Sequence, residues 1–271
     1  MTPETRELET ITVERSEGVV TITLRRPERK NAINGLMWDE FLAEVRAIAG
    51  SVDDRAVVIT GAGGEFCSGA DVGDMAPARG EGNAGPGQHS LASMRHVGDI
   101  CLALHRLPQP TIAKVRGVAV GAGANLALVC DLVVAGETAR FSEIFARRGL
   151  SIDFGGSWIL PRVVGMHRAK ELALLADIID AEQAEHMGLV NRVLPDAELD
   201  GFVAEWAGRL ASGPPIALAM TKRLLNNSFN VTLEEALDDE GLSQTVNFGT
   251  KDTAEAVMAF MEKRTPTFRG R

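Results

Sequence analysis

Cysteine is scarce. Cys67, Cys101 and Cys130 are the three present, an odd count without a CxxC pair. Neither a disulfide framework nor a zinc ribbon is indicated, and a reducing cytoplasm is the expected setting. No HExxH, no spaced Cys/His cluster and no GxSxG occurs, so metal-dependent and serine-triad hydrolysis find no local support and no metal is expected. No run of eighteen apolar residues exists, and the polar, acidic start MTPETRELET has no apolar stretch like a signal peptide. The expectation is a cytosolic protein with no membrane association. An excess of positive charge is missing as well: the net charge is −9 and the pI about 5.2. That balance argues against a general nucleic-acid or anionic-membrane binder, and leaves small molecules or copies of the chain itself as partners. Any phosphate site must come from a local cluster of Arg and Lys.

What is present is enough for a large core: 271 residues, 45% of them apolar, hold one large domain or a domain with a smaller appendage. Residues 11–24 alternate as ITVERSEGVVTITL, a hairpin with Glu17-Gly18 at its turn. After the basic loop RRPERKNAIN, Asn34 is placed to cap a helix over 35–49, where Phe41, Leu42, Val45, Ile48 and Ala49 form an apolar stripe. Residues 56–60 read as a buried strand that runs into a glycine loop, GAGGEFCSGADV. The stretch from Gly73 to Gln88 is rich in Gly, Pro and Ala and reads as a mobile loop able to act as a lid. A helix over 90–107 ends at Pro108 and Pro110. Beyond 131, a strand LVVA precedes helices near 158–164, 169–176 and 181–187. Four more helices follow, over 197–211, 215–227, 232–247 and 252–263. This divides the chain into a mixed α/β core over 1–195 and a helical region over 196–271, whose apolar stripes suit oligomerisation.

The stretch TIAKVRGVAVGAGANLALVCD at 111–131 stands at the centre of this order. It reads as a strand at 112–115, a turn holding Gly117, Gly121 and Gly123, and a helix at 125–129. Unpartnered N–H groups at such a helix start, with the helix dipole behind them, could hold a phosphate or the oxyanion of a polarised carbonyl. The same glycines could equally serve close packing alone. As a dinucleotide fingerprint the turn fails, because Leu126 stands where GxGxxG needs glycine; Gly61 and Gly63 fail likewise at Phe66.

Among carboxylates, Asp153 stands out in GLSIDFGGSW, between Ile152 and Phe154 and with no basic residue nearer than Arg148. Desolvated there, it would titrate high enough to move a proton near neutrality; an Asx-turn before Gly155-Gly156 is the competing reading. Asp71 reads as a turn or positioning residue, and Glu137 and Glu143 as solvated or structural. The five histidines read as surface or packing residues, with His89 and His96 bordering the mobile loop.

FCSGADV at 66–72 and GVAVGAGANLALVCD at 117–131, flanked by RRPERKNAIN, GGSWILPRVVG and FMEKRTPTF in that order, resemble the enoyl-CoA hydratase/isomerase (crotonase) superfamily over nearly the whole chain. The resemblance implies an α/β fold, a spiral of ββα units with a helical C-terminal region that trimerises, often as a dimer of trimers. It implies an acyl-CoA thioester substrate, coenzyme A being part of that substrate with no separate cofactor. The thioester oxygen would sit between the N–H groups of Ala70 and Ala122, where enolate charge develops. Coenzyme A would meet Lys30, Ala32, Ser68, Ala70, Asp71 and Val72, with Arg26 in the basic cluster Arg25, Arg26, Arg29 and Lys30 and Gly121 in the second loop. Its nucleotide end would meet Phe260 and Lys263 of a neighbouring subunit.

Hydratases of the family have two glutamates, and the matching positions here are Asn125 and Phe145. Hydration therefore lacks both of its acid/base groups at those places. Isomerase members have an acid where Asp153 stands. The segments ANLALVCD, GLSIDFGGSWILPR and AEQA are most similar to the ring-opening isomerase of phenylacetate breakdown. The resemblance thus implies a double-bond shift, or a ring-epoxide isomerisation, with Asp153 as base. An aryl-CoA dehalogenase with Asp153 as nucleophile would want Trp at Phe145 and a histidine, for which His96 is the candidate. A catalytically silent acyl-CoA binder is the third reading.

Overall fold

The computed structural model describes residues 4–71, 73 and 90–271. Strand β2 (Ile11–Ser16) points Ile11 and Val13 inward and pairs antiparallel with β3 (Val19–Leu24) in the register Ile11 to Leu24. Glu17 and Gly18 both take positive φ, 52° and 80°, which is the two-residue turn whose twist suits a hairpin. A third strand, β1 (Glu4–Glu7), pairs antiparallel with β2 along its outer edge; every residue in it is exposed, so no apolar pattern announced it.

From β3 onward the sheet turns parallel. Helix α1 (Gly35–Ala49) starts where the Asn34 side chain accepts the Met37 N–H at 2.9 Å, and it buries Met37, Phe41, Val45 and Ile48. It leads to β4 (Ala56–Gly61), which lies parallel to β3. Helix α2 (Ser90–His105) then leads to β5 (Thr111–Val115), parallel to β4. The short β6 (Val118–Val120) and helix α3 (Ala122–Val129) connect β5 to β7 (Leu132–Gly136), again parallel. After β8 (Arg140–Ser142), a 3-10 turn over Ile144–Arg148, α4 (Gly156–Val164), α5 (Met166–Leu175), β9 (Ile179–Asp180) and α6 (Ala181–Met187), strand β10 (Arg192–Leu194) closes the sheet beside β7. The main sheet runs β1-β2-β3-β4-β5-β7-β10, and β6-β8-β9 form a second, smaller one.

Two features of the central stretch differ from the reading of its sequence. Residues 118–120 are a strand of the second sheet, and α3 begins at Ala122, so Gly123 lies within the helix. Both follow from tertiary pairing: Val120 N–H donates to the Cys67 carbonyl and Cys67 N–H to that of Val118, bonds to a segment some fifty residues earlier.

The C-terminal helices are α7 (Asp196–Ala211), α8 (Pro215–Asn227), α9 (Leu233–Phe248) and α10 (Lys251–Glu262). Helix α7 covers the second face of the sheet, with Leu199, Val203 and Ala207 against Val58, Ile112 and Val134. Helix α8 is tied to the core by Lys222, whose Nζ lies 2.7 Å from Asp131 Oδ2. The same oxygen accepts the Thr111 N–H and hydroxyl at 2.7 and 2.9 Å. Apolar side chains on α9 and α10 stay exposed, among them Leu233, Phe248, Met258 and Phe260. No described helix is long and apolar enough to cross a membrane.

Candidate active site

The loop after β4 and the start of α3 are held against one another. Cys67 and Ala119 form an isolated parallel bridge, and Ile33 bridges Ala70 through Ile33 N–H to Gly69 O and Asp71 N–H to Ile33 O, both 2.8 Å. A methyl group on Gly123 would come within 2.4 Å of the Cys67 carbonyl, and one on Gly69 within 2.8 Å of the Val120 carbonyl. Only glycine at these places lets the two backbones approach so closely. Between the bonded residues, the N–H groups of Ala70 and of Ala122 meet no acceptor among the described residues. Ala122 is the first residue of α3, so the positive end of the helix dipole stands behind its N–H. Two uncommitted donors on a rigid pair of loops can receive the charge that grows on a thioester oxygen.

Farther along α3, Asn125 is fully buried, and its Nδ2 donates to the main-chain carbonyl of Asp153 at 3.0 Å and to Glu143 Oε2 at 3.3 Å. Gly156 must be glycine for this contact, since a Cβ there would stand 2.5 Å from both amide heteroatoms of Asn125. The Asp153 carbonyl also accepts the Gly156 N–H at 2.9 Å, so the turn is made by the backbone. Phe154 takes a positive φ of 46° within it and stacks on Trp38 at 5.1 Å. The carboxylate of Asp153 accepts no hydrogen bond among the described residues, and its Oδ1 is buried. It is therefore free of the Asx-turn role that its sequence also allowed. Burial pushes its pKa up to about 6.

Of the two readings its sequence allowed Glu143, solvated or structural, burial removes the first: it is 4% exposed. Burial pushes its pKa up to about 7; the Asn125 hydrogen bond opposes that shift and the nearby charge of Asp153 adds to it. Asp153 therefore shares the region with a second, buried carboxyl. Glu137 is exposed.

The basic loop is engaged largely with its own carboxylates. Arg26 pairs with Asp71 at 2.9 Å and donates to the Ala32 carbonyl at 2.6 Å. Asp71, whose carboxylate also accepts the Gly73 N–H, is held below the usual range by that bond and by Arg26. Lys30 pairs with Glu65 at 2.9 Å, and Arg25 with Glu7 at 3.5 Å. Arg29 has no ion pair among the described residues. Ser68 donates from its hydroxyl to the Arg29 carbonyl and from its N–H to that of Lys30. Lys30, Ala32, Ser68, Ala70 and Asp71 are thereby gathered on one rim. Val72, His89 and the segment 74–88 read as a lid lie outside the described residues.

Gly121, with φ 56°, sits against Ile144 and Phe145, its missing Cβ 3.4 and 3.7 Å from them. Trp158 faces elsewhere, into a cavity of about 470 Å³ between α4 and α8, where Arg162 stacks on it at 3.8 Å. His96 bonds Asp39 at the surface. Phe260 and Lys263 lie exposed at the end of α10. The three thiols are buried; Cys67 and Cys130 are pushed up to about 12 by desolvation. Among the described residues no group of three or more His, Cys, Asp or Glu could hold a metal ion.

The family model described as enoyl-CoA hydratase/isomerase matches residues 14–271. The chain belongs to this family. It is 41% identical to a protein of Rhodobacter capsulatus named "Probable enoyl-CoA hydratase", over 97% of this chain and 98% of that one. It is 38% identical to the 1,2-epoxyphenylacetyl-CoA isomerase of Escherichia coli K12, over 94% and 96%. The crystal structure of an enoyl-CoA hydratase from Bacillus anthracis superposes with a TM-score of 0.87 at 31% identity, covering 100% of both chains. The α/β fold described above is therefore that of the enoyl-CoA hydratase/isomerase family, and the chain is an acyl-CoA enzyme of it.

Proposed function

We propose that this enzyme shifts a double bond in an acyl-CoA thioester, 3-enoyl to 2-enoyl or by opening a ring epoxide, with Asp153 as the proton carrier. The observation that carries the reading is the Asp153 carboxyl: buried at Oδ1, free of hydrogen bonds and titrating near 6, beside a helix that offers an uncommitted Ala122 N–H. Ionised Asp153 takes a proton from C2 of a 3-enoyl thioester. The electron pair moves through the C2–C1 bond onto the thioester oxygen, which the Ala70 and Ala122 N–H groups receive. The dienolate then takes the same proton back at C4, so no atom is gained or lost. Asn125 and Phe145 supply no carboxyl for hydration, and the 38% identity to a named isomerase is in keeping with this reading.

Glu143 favours a second reading. With buried Glu143 beside half-buried Asp153, addition of water to a 2-enoyl thioester has an acid and a base again, and a hydratase name is found among the relatives. A dehalogenase is disfavoured by Phe145 and by the pairing of His96 with Asp39. Coenzyme A is assigned to the rim of Arg26, Lys30, Ala32, Ser68, Ala70 and Asp71, with Val72 and Gly121 alongside and Phe260 and Lys263 serving a neighbouring subunit. The exposed apolar residues of α9 and α10 support a trimer or a dimer of trimers. Cytoplasmic location belongs to the same proposal.

The test is NMR of a 3-enoyl-CoA in deuterated water with wild type and Asp153→Asn, watching C2 and C4 and any hydrated product. Formation of the 2-enoyl thioester that requires Asp153 supports isomerisation. Conversion of a 2-enoyl-CoA, supplied alongside, to 3-hydroxyacyl product with no conversion of the 3-enoyl thioester overturns it in favour of hydration, and unchanged turnover by Asp153→Asn removes Asp153 from the chemistry.

A further inference from the structure

Asn125 is buried completely, and the acceptor half of its amide is unaccounted for: its Oδ1 meets no donor among the described residues, while its Nδ2 serves both Asp153 O and Glu143 Oε2. A buried acceptor without a donor is costly, and the group able to supply one must stand within reach of the same amide. Glu143 is that group only in its protonated form, because an ionised carboxylate has no hydrogen to give.

We propose that Glu143 is a positioning residue that works as a neutral acid, forming a two-bond amide–acid pair with Asn125 and so holding the Asp153 turn in its working place. This rests on the reading of Asp153 as the proton carrier. Deprotonation of Glu143 removes the donor from Oδ1 and strengthens its pull on Nδ2. The planar amide then turns toward Glu143, away from the Asp153 carbonyl, and a second negative charge enters the site where the dienolate forms. Burial and the charge of Asp153 both keep the proton on Glu143, whose pKa is pushed up to about 7.

The charged groups on the surrounding elements do not alter this. In the 3-10 turn, Arg147 pairs with Asp177 and Arg148 is exposed. On α5, His167, Lys170 and Glu171 are exposed and Arg168 donates to the Met187 carbonyl. Asp180 caps α6 through Gln183, and Arg140 on β8 donates to the carbonyls of Glu137 and Ala139. Among the described residues, Asp153 is the carboxyl whose charge acts on Glu143.

Two measurements test the proposal. The first is the pH profile of proton exchange at C2 of a 3-enoyl-CoA, for wild type, Glu143→Gln and Asp153→Asn. Wild type should lose rate about tenfold per pH unit above about 7. Glu143→Gln, which keeps an acceptor for Nδ2 and cannot ionise, should show no alkaline fall, so that its rate ratio between pH 8.5 and pH 6.5 rises tenfold or more over wild type. An unchanged alkaline limb, or a uniform loss at every pH, overturns the proposal and leaves Glu143 a structural residue. The second needs neither turnover nor a folded Glu143 variant: carboxyl carbon-13 NMR of the wild type, labelled at glutamate, with Asp153→Asn beside it. A buried glutamate titrating near 7, whose transition moves to lower pH once the Asp153 charge is gone, supports the pair. Absence of any glutamate titrating above 6 overturns it. Exchange that persists in Asp153→Asn sinks the Asp153 reading alone, because the carbon-13 titration reports on Glu143 independently.

Discussion

The side chain of Asn125 bonds the main-chain carbonyl of Asp153 at 3.0 Å, so the helix that presents the Ala122 N–H also holds the turn bearing the proposed proton carrier. N–H donor and proposed base share one support. Replacing Asn125 by Leu leaves Glu143 without its donor and the Asp153 carbonyl with the Gly156 N–H alone, and should cost about 1–3 kcal/mol of stability in urea unfolding. Misplacement of Asp153 should lower turnover by roughly 10²-fold. A variant as stable and as active as wild type would show that the amide holds nothing.

Gly123→Ala probes the two loops directly. Its methyl group would meet the Cys67 carbonyl at 2.4 Å and the Cys67 side chain at 2.8 Å, forcing the Ala70 and Ala122 donors apart. A loss of about 10²–10³ in kcat, the usual effect of one misplaced oxyanion donor, is expected in steady-state kinetics. Retention of full kcat in the folded variant would place the oxyanion elsewhere.

The raised pKa of Asp153 has a sign in stability. Ionisation is less favourable in the folded chain than in the unfolded one, so the folded state loses stability as pH climbs from about 4 through about 6, and the penalty is constant above. Asp153→Asn should match wild type at pH 4 and exceed it at pH 8 by about 1–2 kcal/mol, allowing for partial solvent contact. Chemical unfolding at both pH values checks this, and a variant less stable at pH 8 contradicts it.

Lys222 anchors α8 to the core through Asp131, and its side chain is only 9% exposed. Lys222→Met should destabilise by about 2–4 kcal/mol in thermal unfolding, because Asp131 keeps its Thr111 donors but loses its cation. Asp131→Asn in the same chain should recover part of that loss; strict additivity of the two changes would mean that the pair is not coupled.

Local pattern made much of this legible. The hairpin turn at Glu17-Gly18, the cap at Asn34 and the C-terminal helices from Asp196 onward stand where their residues placed them, because each depends on neighbours in sequence. Strand β6 escaped because its partners, Cys67 and β8, are distant in the chain. Strands β9 and β10 are two and three residues long and carry no period of their own. The desolvation of Asp153 could be read from its apolar neighbours. That of Glu143 could not, since what isolates it from water is the fold around Phe141 and Phe145 and the amide of Asn125 contributed by another helix.

The crossing of Cys67 with Val118–Val120 gives the site a fixed gauge. Hydrogen bonds tie the strand before Gly121 to the residues before Ala70, so a fluctuation that lifts one loop carries the other with it. If Ala70 and Ala122 hold the thioester oxygen as proposed, their spacing is set by these backbone bonds and not by the acyl group, so acyl groups of different bulk should meet the same pair of donors. Selectivity among thioesters would then be separable from the power to polarise them.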